Sequence, residues 1–205
     1  MTYMNKITID LLRHGDAAGG SKLLGQTDEP LSALGLSQMR AVPGDDSPPW
    51  SKVISSPLSR CSSFAQELSD NLSLPLLIEP SFQEINFGIW DGEQLTSLYE
   101  SEHAEQLMQF MAAPSSITPP EGESYQDFKH RVLSAWDNLL QSLHQDKIEH
   151  CVLITHAGVI RTIISHVLGF PEENLFRLEV PYANLSRITQ YEDYPPVLSF
   201  HGGQL

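Results

Sequence analysis

Apolar and polar positions alternate along this chain in two rhythms. Residues 6–12, KITIDLL, are a short, nearly unbroken apolar run of the kind a covered strand needs. Residues 30–42 switch to helical spacing at Leu31, Leu34 and Met39, and PGDDSPP over 43–49 stops that helix. KVISS at 52–56 is β-branched and runs into Ser56–Pro57, which predicts a helix with Ser56 as N-cap and Pro57 at its first position. Leu58, Cys61, Ala65, Leu68 and Leu72 continue that helix. PLLIE at 75–79 predicts another strand, and a polar helical stretch is expected over about 93–112, followed by the loop APSSITPPEGES. Phe128, Val132, Leu133, Trp136, Leu139, Leu140 and Leu143 then line one face of a long amphipathic helix. HCVLIT at 150–155 predicts a strand covered on both faces, and the helix after it should stop at Gly169 and Pro171. NLSRITQYE and PPVLSFHGG give two further strands. The alternation predicts a three-layer α/β/α sandwich around a largely parallel sheet.

Bulk properties narrow the partners. With 205 residues, 40% of them hydrophobic, the chain suffices for one domain over 1–205. A formal charge of −14 argues against nucleic acid and against an anionic membrane surface. No apolar run approaches the roughly 20 residues of a membrane span. The opening MTYMNKITIDLLRH reads as a first strand rather than a signal peptide, which points to a cytoplasmic protein. Cys61 and Cys151 lack any metal or disulfide spacing and are expected as small buried thiols.

Only 12 residues are Lys or Arg, so the placement of each arginine carries information. In a parallel sheet, ligands gather at the carboxyl ends of strands. Three such ends carry polar groups: Arg13–His14–Gly15, Ser56 to Arg60, and Thr155–His156–Ala157–Gly158. A neutral histidine at a strand end is a competent nucleophile, and arginine forks match phosphoryl oxygens. Backbone N–H groups opening the helix at Ala157 favour an anion. The alternative, polar residues at a water boundary, explains one such site better than three together. His103, His130, His144, His150, His166 and His201 are scattered without ligand spacing and are expected to be structural or exposed. HExxH, DxD and Walker patterns are absent, so no metal or other cofactor is expected.

Five blocks in order, LLRHG, GQTDEPLSALG, SSPLSR, EINFGIWDG and ITHAGVIR, resemble the histidine phosphatase superfamily in its phosphoglycerate-mutase-like branch. The resemblance covers nearly the whole chain. It implies that His14 is the phosphoryl-accepting nucleophile and that Arg13, Arg60 and His156 bind the transferring group. It further implies Glu84 as the general acid, then base, with Gln26, Thr27 and Ala157 on the substrate side and residues 91–120 as a helical lid insert. The apolar neighbours Ile85, Phe87, Ile89 and Trp90 suit a proton donor. EINFGIWDG followed by PPEGESYQDFKHRV is most similar to α-ribazole-5′-phosphate phosphatases of cobalamin nucleotide-loop assembly. A broad-specificity phosphatase, a phosphoglycerate mutase and a noncatalytic phosphate binder on the same fold stay open. The expected partner is a small phosphomonoester; the oligomeric state is not encoded legibly.

Overall fold

The computed structural model describes residues 6–44, 48–191 and 194–203. Six strands form one sheet: β1 (Lys6–Arg13), β2 (Lys52–Ser55), β3 (Leu76–Ile78), β4 (His150–Thr155), β5 (Leu185–Tyr191) and β6 (Val197–Gly203). Their order is β3-β2-β4-β1-β5-β6. The β3–β2, β2–β4 and β4–β1 pairings are parallel, and β5 runs against both β1 and β6. The sandwich is therefore α/β/α with a mostly parallel sheet, and β5 is the strand that runs against the rest.

Side chains on neighbouring positions of a strand face opposite layers, and the core splits accordingly. Ile7, Ile9, Leu11, Cys151 and Leu153 pack with residues of α5 (Tyr125–Gln145) and α6 (Ala157–Leu168). Leu12, Val53, Val152 and Ile154 pack with Met39 of α1 (Ala33–Ala41) and Cys61, Phe64 and Ala65 of α2 (Ser59–Leu72). Burial on both faces explains why β4 reads as a continuous apolar run. Both cysteines are free and buried, as the sequence predicts. α6 ends at Gly169, whose φ of 67° is the left-handed cap that glycine supplies without strain.

Two boundaries differ from the sequence reading. α2 begins at Ser59, capped by Leu58 in an extended conformation and without a side-chain cap. The cause lies in the sheet: Ser56 N–H donates to the Ile154 carbonyl at 3.0 Å, prolonging the β2–β4 ladder, while its Oγ is 2.8 Å from His156 Nε2. A residue held in the ladder cannot open the helix, and Pro57 falls in the connection. The helical stretch expected over 93–112 is divided into two helices, α3 (Leu95–Tyr99) and α4 (Ala104–Ala112). Ser101 breaks it, donating through Oγ to the Leu98 carbonyl at 2.8 Å and accepting from His103 N–H at 3.1 Å. Such local bonds compete with the helical ladder. Among the described residues, no helix is long and apolar enough to cross a membrane.

Candidate active site

Strand register brings the three predicted strand ends to one edge. Arg13 lies opposite Thr155 and Ser55 opposite Ile154, so His14, Ser56 and His156 follow their strands at the same level. His14 N–H donates to the Thr155 carbonyl at 2.9 Å, locking the first histidine beside the second. The two imidazole centroids are 5.2 Å apart, and both rings are buried.

The His14 ring has a defined orientation. Its Nδ1 is 2.8 Å from the Gly15 carbonyl, which can only accept, so Nδ1 carries the proton and leaves the Nε2 lone pair free. Burial, then the charges of Arg60 and Arg13, push its pKa down to about 3 against the opposing pull of the Gly15 carbonyl. Burial and the same arginines push His156 well below the ordinary imidazole value. At neutral pH both rings are uncharged, the state a nucleophilic nitrogen requires. A side chain at Gly15 would collide with the Gly35 backbone, so glycine lets the two segments approach this closely.

Arg60 is fully buried on α2 and donates to two carbonyls, Thr27 at 2.8 Å through Nη1 and Gly25 at 2.5 Å through Nη2. Arg13 donates through Nη1 to the Val180 carbonyl at 2.6 Å and lies 4.0 Å from the centre of the Tyr182 ring. Neither guanidinium has a carboxylate partner among the described residues, and the Nε atoms of both are buried without any hydrogen bond. Keeping two cations dry with only neutral acceptors is costly, and the arrangement leaves their remaining donors to serve an anion.

Glu84 reaches this cluster from the loop after β3. Its Oε2 accepts from Gly158 N–H at 2.9 Å, at the start of α6, and its Oε1 accepts from Ile85 N–H at 3.1 Å. A β-carbon at Gly158 would collide with the carboxyl group, so this glycine makes the approach possible. Ala157 is buried at the first position of α6, directly after His156. Gln26 is exposed and Thr27 half-buried; Thr27 meets the site through its carbonyl on Arg60, while the Gln26 N–H bonds Asp91.

Three further groups belong here that the sequence reading did not assign. Arg131 of α5 gathers the carbonyls of Ser81, Gln83 and Glu84 at 2.9, 2.9 and 3.0 Å and pairs with Glu123 at 2.7 Å, which fixes the loop carrying Glu84. Arg161 sits one helical turn beyond Ala157 and shares with Glu84 and Gly158 a cavity of about 40 Å³ walled by Phe87, Phe110 and Tyr125. Its Nε donates to the Leu178 carbonyl at 2.9 Å, and burial lowers its pKa against the attraction of Glu84. Tyr182 closes the site over Arg13. Scarcity was the available signal for both arginines; Tyr182 follows no motif and offered none.

A family profile described as "Histidine phosphatase superfamily (branch 1)" matches residues 9–201. The chain belongs to the histidine phosphatase superfamily. Among curated relatives of the superfamily, it is 27% identical over 192 residues to "Probable phosphoglycerate mutase GpmB" of Yersinia pestis (strain Pestoides F), covering 92% of this chain and 87% of that protein. The α-ribazole phosphatase of Shigella flexneri superposes with a TM-score of 0.81 at 24% identity, covering 96% of each chain. A mycobacterial glucosyl-3-phosphoglycerate phosphatase superposes with a TM-score of 0.81 at 23% identity, over 97% of this chain and all of the other. These two likenesses establish the histidine phosphatase fold and leave the substrate to the chemistry of the site.

Proposed function

We propose that this chain is a phosphomonoester hydrolase that works through a phosphohistidine on His14. The observation carrying this reading is a neutral His14 with a free Nε2, set beside Arg13 and Arg60, which have no carboxylate partner among the described residues. In the first step Nε2 attacks phosphorus and the P–O bond to the alcohol breaks. The Glu84 carboxyl gives its proton to the departing oxygen, so an alcohol leaves rather than an alkoxide. In the second step Glu84 takes a proton from water as the water oxygen attacks phosphorus. The N–P bond breaks, its electron pair returns to Nε2, and inorganic phosphate leaves. Arg13, Arg60 and His156 hold the phosphoryl oxygens through both transfers, where charge stabilisation supplies most of the rate.

The substrate we assign is α-ribazole 5′-phosphate, in cobalamin nucleotide-loop assembly. The EINFGIWDG and PPEGES blocks support it. In this reading the segment 91–120 covers the alcohol side of the site as a lid. Two reduced, buried cysteines fit a cytoplasmic setting. Arg161 favours a second reading, a phosphate ester bearing a carboxylate, in either hydrolysis or mutase transfer, because its guanidinium has no acidic partner among the described residues.

Rapid quenching with a phosphoester should trap acid-labile, base-stable phosphate on His14, and His14→Ala should lose at least ~10⁴-fold in turnover. Turnover surviving that substitution removes the covalent mechanism. A wild type that binds phosphate but turns over no phosphoester would instead be a noncatalytic binder. A panel of α-ribazole 5′-phosphate, 3-phosphoglycerate and nucleoside monophosphates decides between the two substrate readings.

A further inference from the structure

Asp91 stands outside the reacting groups, yet its carboxylate accepts more backbone bonds than any other side chain near the site. Oδ1 accepts from Gly25 N–H at 3.1 Å and from Thr27 N–H at 3.0 Å. Oδ2 accepts from Gln26 N–H at 2.7 Å and, more weakly, from Phe87 N–H at 3.4 Å. The same loop supplies the two carbonyls that hold Arg60, Gly25 and Thr27. One peptide group is shared between the two systems. The Gly25 carbonyl and the Gln26 N–H belong to a single peptide plane, with the carbonyl on the Arg60 guanidinium and the N–H on the Asp91 carboxylate. A peptide dipole is thus stretched between an anion and a cation, and each bond polarises the other.

Asp91 is itself well anchored. It follows the single turn Gly88–Trp90, where Trp90 is fully buried, and its own N–H donates to the Gly88 carbonyl at 3.0 Å. The neighbouring chain is stitched to the same loop, with Gly92 N–H on the Leu23 carbonyl at 2.8 Å and Leu23 N–H on the Glu93 carbonyl at 2.9 Å. A side chain at Gly25 would collide with Asp91 and the Ile85 carbonyl, so the glycine lets the carboxylate come this close.

We propose that Asp91 is a positioning residue for Arg60, acting through the Gly25–Gln26 peptide to hold the guanidinium where the phosphoryl group is bound. Without the carboxylate, that peptide has no fixed partner for its N–H and rotates, and the carbonyls leave Arg60. The inference rests on the oxyanion-binding role of Arg60, and the vanadate-affinity arm of its test does not need turnover.

The test is a double-mutant cycle of Asp91→Ala and Arg60→Ala, read as orthovanadate affinity by calorimetry and as kcat/KM on p-nitrophenyl phosphate and an alkyl phosphate. Asp91→Ala alone should lose about 100-fold, the scale of a misplaced group. In the Arg60→Ala background the same change should lose no more than about 3-fold, since the groups act as one unit. The loss should be equal for both esters, because Arg60 acts on the phosphoryl group; Glu84→Gln, by contrast, should spare the p-nitrophenyl ester. An equal loss in both backgrounds, or one confined to the alkyl ester, overturns the proposal. If Asp91→Ala fails to fold, Asp91→Asn carries the same cycle, keeping an oxygen for Gly25 and Thr27 while losing the acceptor for Gln26. A wild type that binds vanadate but turns over neither ester defeats the hydrolase reading and leaves this cycle intact.

Discussion

β1 carries two polar clusters three residues apart, built from the same residue types and opposite in character. Asp10, fully buried, accepts from Arg187 at 2.8 and 3.0 Å, from Trp50 Nε1 at 2.8 Å, and bonds His150 Nε2 at 2.9 Å. Burial alone would raise its pKa, but the bonds from His150, Arg187 and Trp50 outweigh it and the net shift is downward. Around Arg13 and His14 there is also arginine and histidine, yet the acceptors are neutral carbonyls and two buried Nε atoms have no partner. The first cluster is complete within the protein; the second is complete only with an anion. Among the described residues, Arg187 is paired with a carboxylate while Arg13 and Arg60 are not. β4 repeats the contrast, with His150 at its start bound to Asp10 and His156 just past its end among the arginines.

Opposite responses to mutation would sharpen this contrast. Arg60→Ala should lower kcat/KM by about 10²–10³-fold, as expected for removal of a fixed oxyanion donor, with thermal stability unchanged or higher. A large drop in melting temperature with little loss of activity would place Arg60 in the structural class and break the comparison. Asp10→Asn should do the reverse. It should cost about 2–3 kcal/mol by urea denaturation, below the ~3–5 of a wholly buried pair because Arg187 is partly exposed, and leave kcat per folded molecule intact. A catalytic defect without a stability loss would tie the two clusters together.

The last test of the comparison is in pH. His14 and His156 have folded pKa values depressed below ~6.5, so between about pH 6.5 and 4 the unfolded chain binds more protons than the folded one. Stability should fall as pH falls through this window, by about 1.4 kcal/mol per pH unit for each histidine. The Asp10 contribution begins only lower, near the ordinary aspartate value and beneath it. Saturating inorganic phosphate should flatten the slope, because an anion between the arginines restores the charged imidazole. Urea titrations at pH 4.5 and 6.5, with and without phosphate, read this directly; equal stability at both values would remove the electrostatic account of the site.

The sandwich was legible in the sequence because each strand and helix carries its own apolar period, and the six strands lie where those periods place them. His14, Arg60, Glu84 and His156 were legible because each stands at the end of an apolar run or within a quoted block. What escaped depends on side chains reaching across the fold. Ser56 looks like a helix cap to any local reading and instead bonds His156, one hundred positions later. Ser101 breaks a helix by bonding its own neighbours, a choice that composition over 93–112 does not reveal. Asp91 sits in a block whose resemblance was recognised, but its partners are N–H groups 64 to 66 residues earlier, which no spacing along the chain encodes. Arg131 and Arg161 were visible as scarce cations, while their targets are backbone carbonyls and a cavity that exist only after folding.

The reversed strand β5 has a consequence for when competence arises during synthesis. Residues 180–184, leading into it, supply the Val180 carbonyl to the Arg13 guanidinium, the Asn184 carbonyl to Arg13 N–H at 3.0 Å, and an N–H at Ala183 to the His14 carbonyl at 3.3 Å. A nascent chain that has emerged as far as His156 already holds His14 and Glu84, the residues proposed as nucleophile and proton donor. It still lacks the strap that orients Arg13 and seats Tyr182 against it. A chain ending before residue 180 is therefore expected to carry the Arg13–His14–Gly15 step without the bonds that set the Arg13 guanidinium.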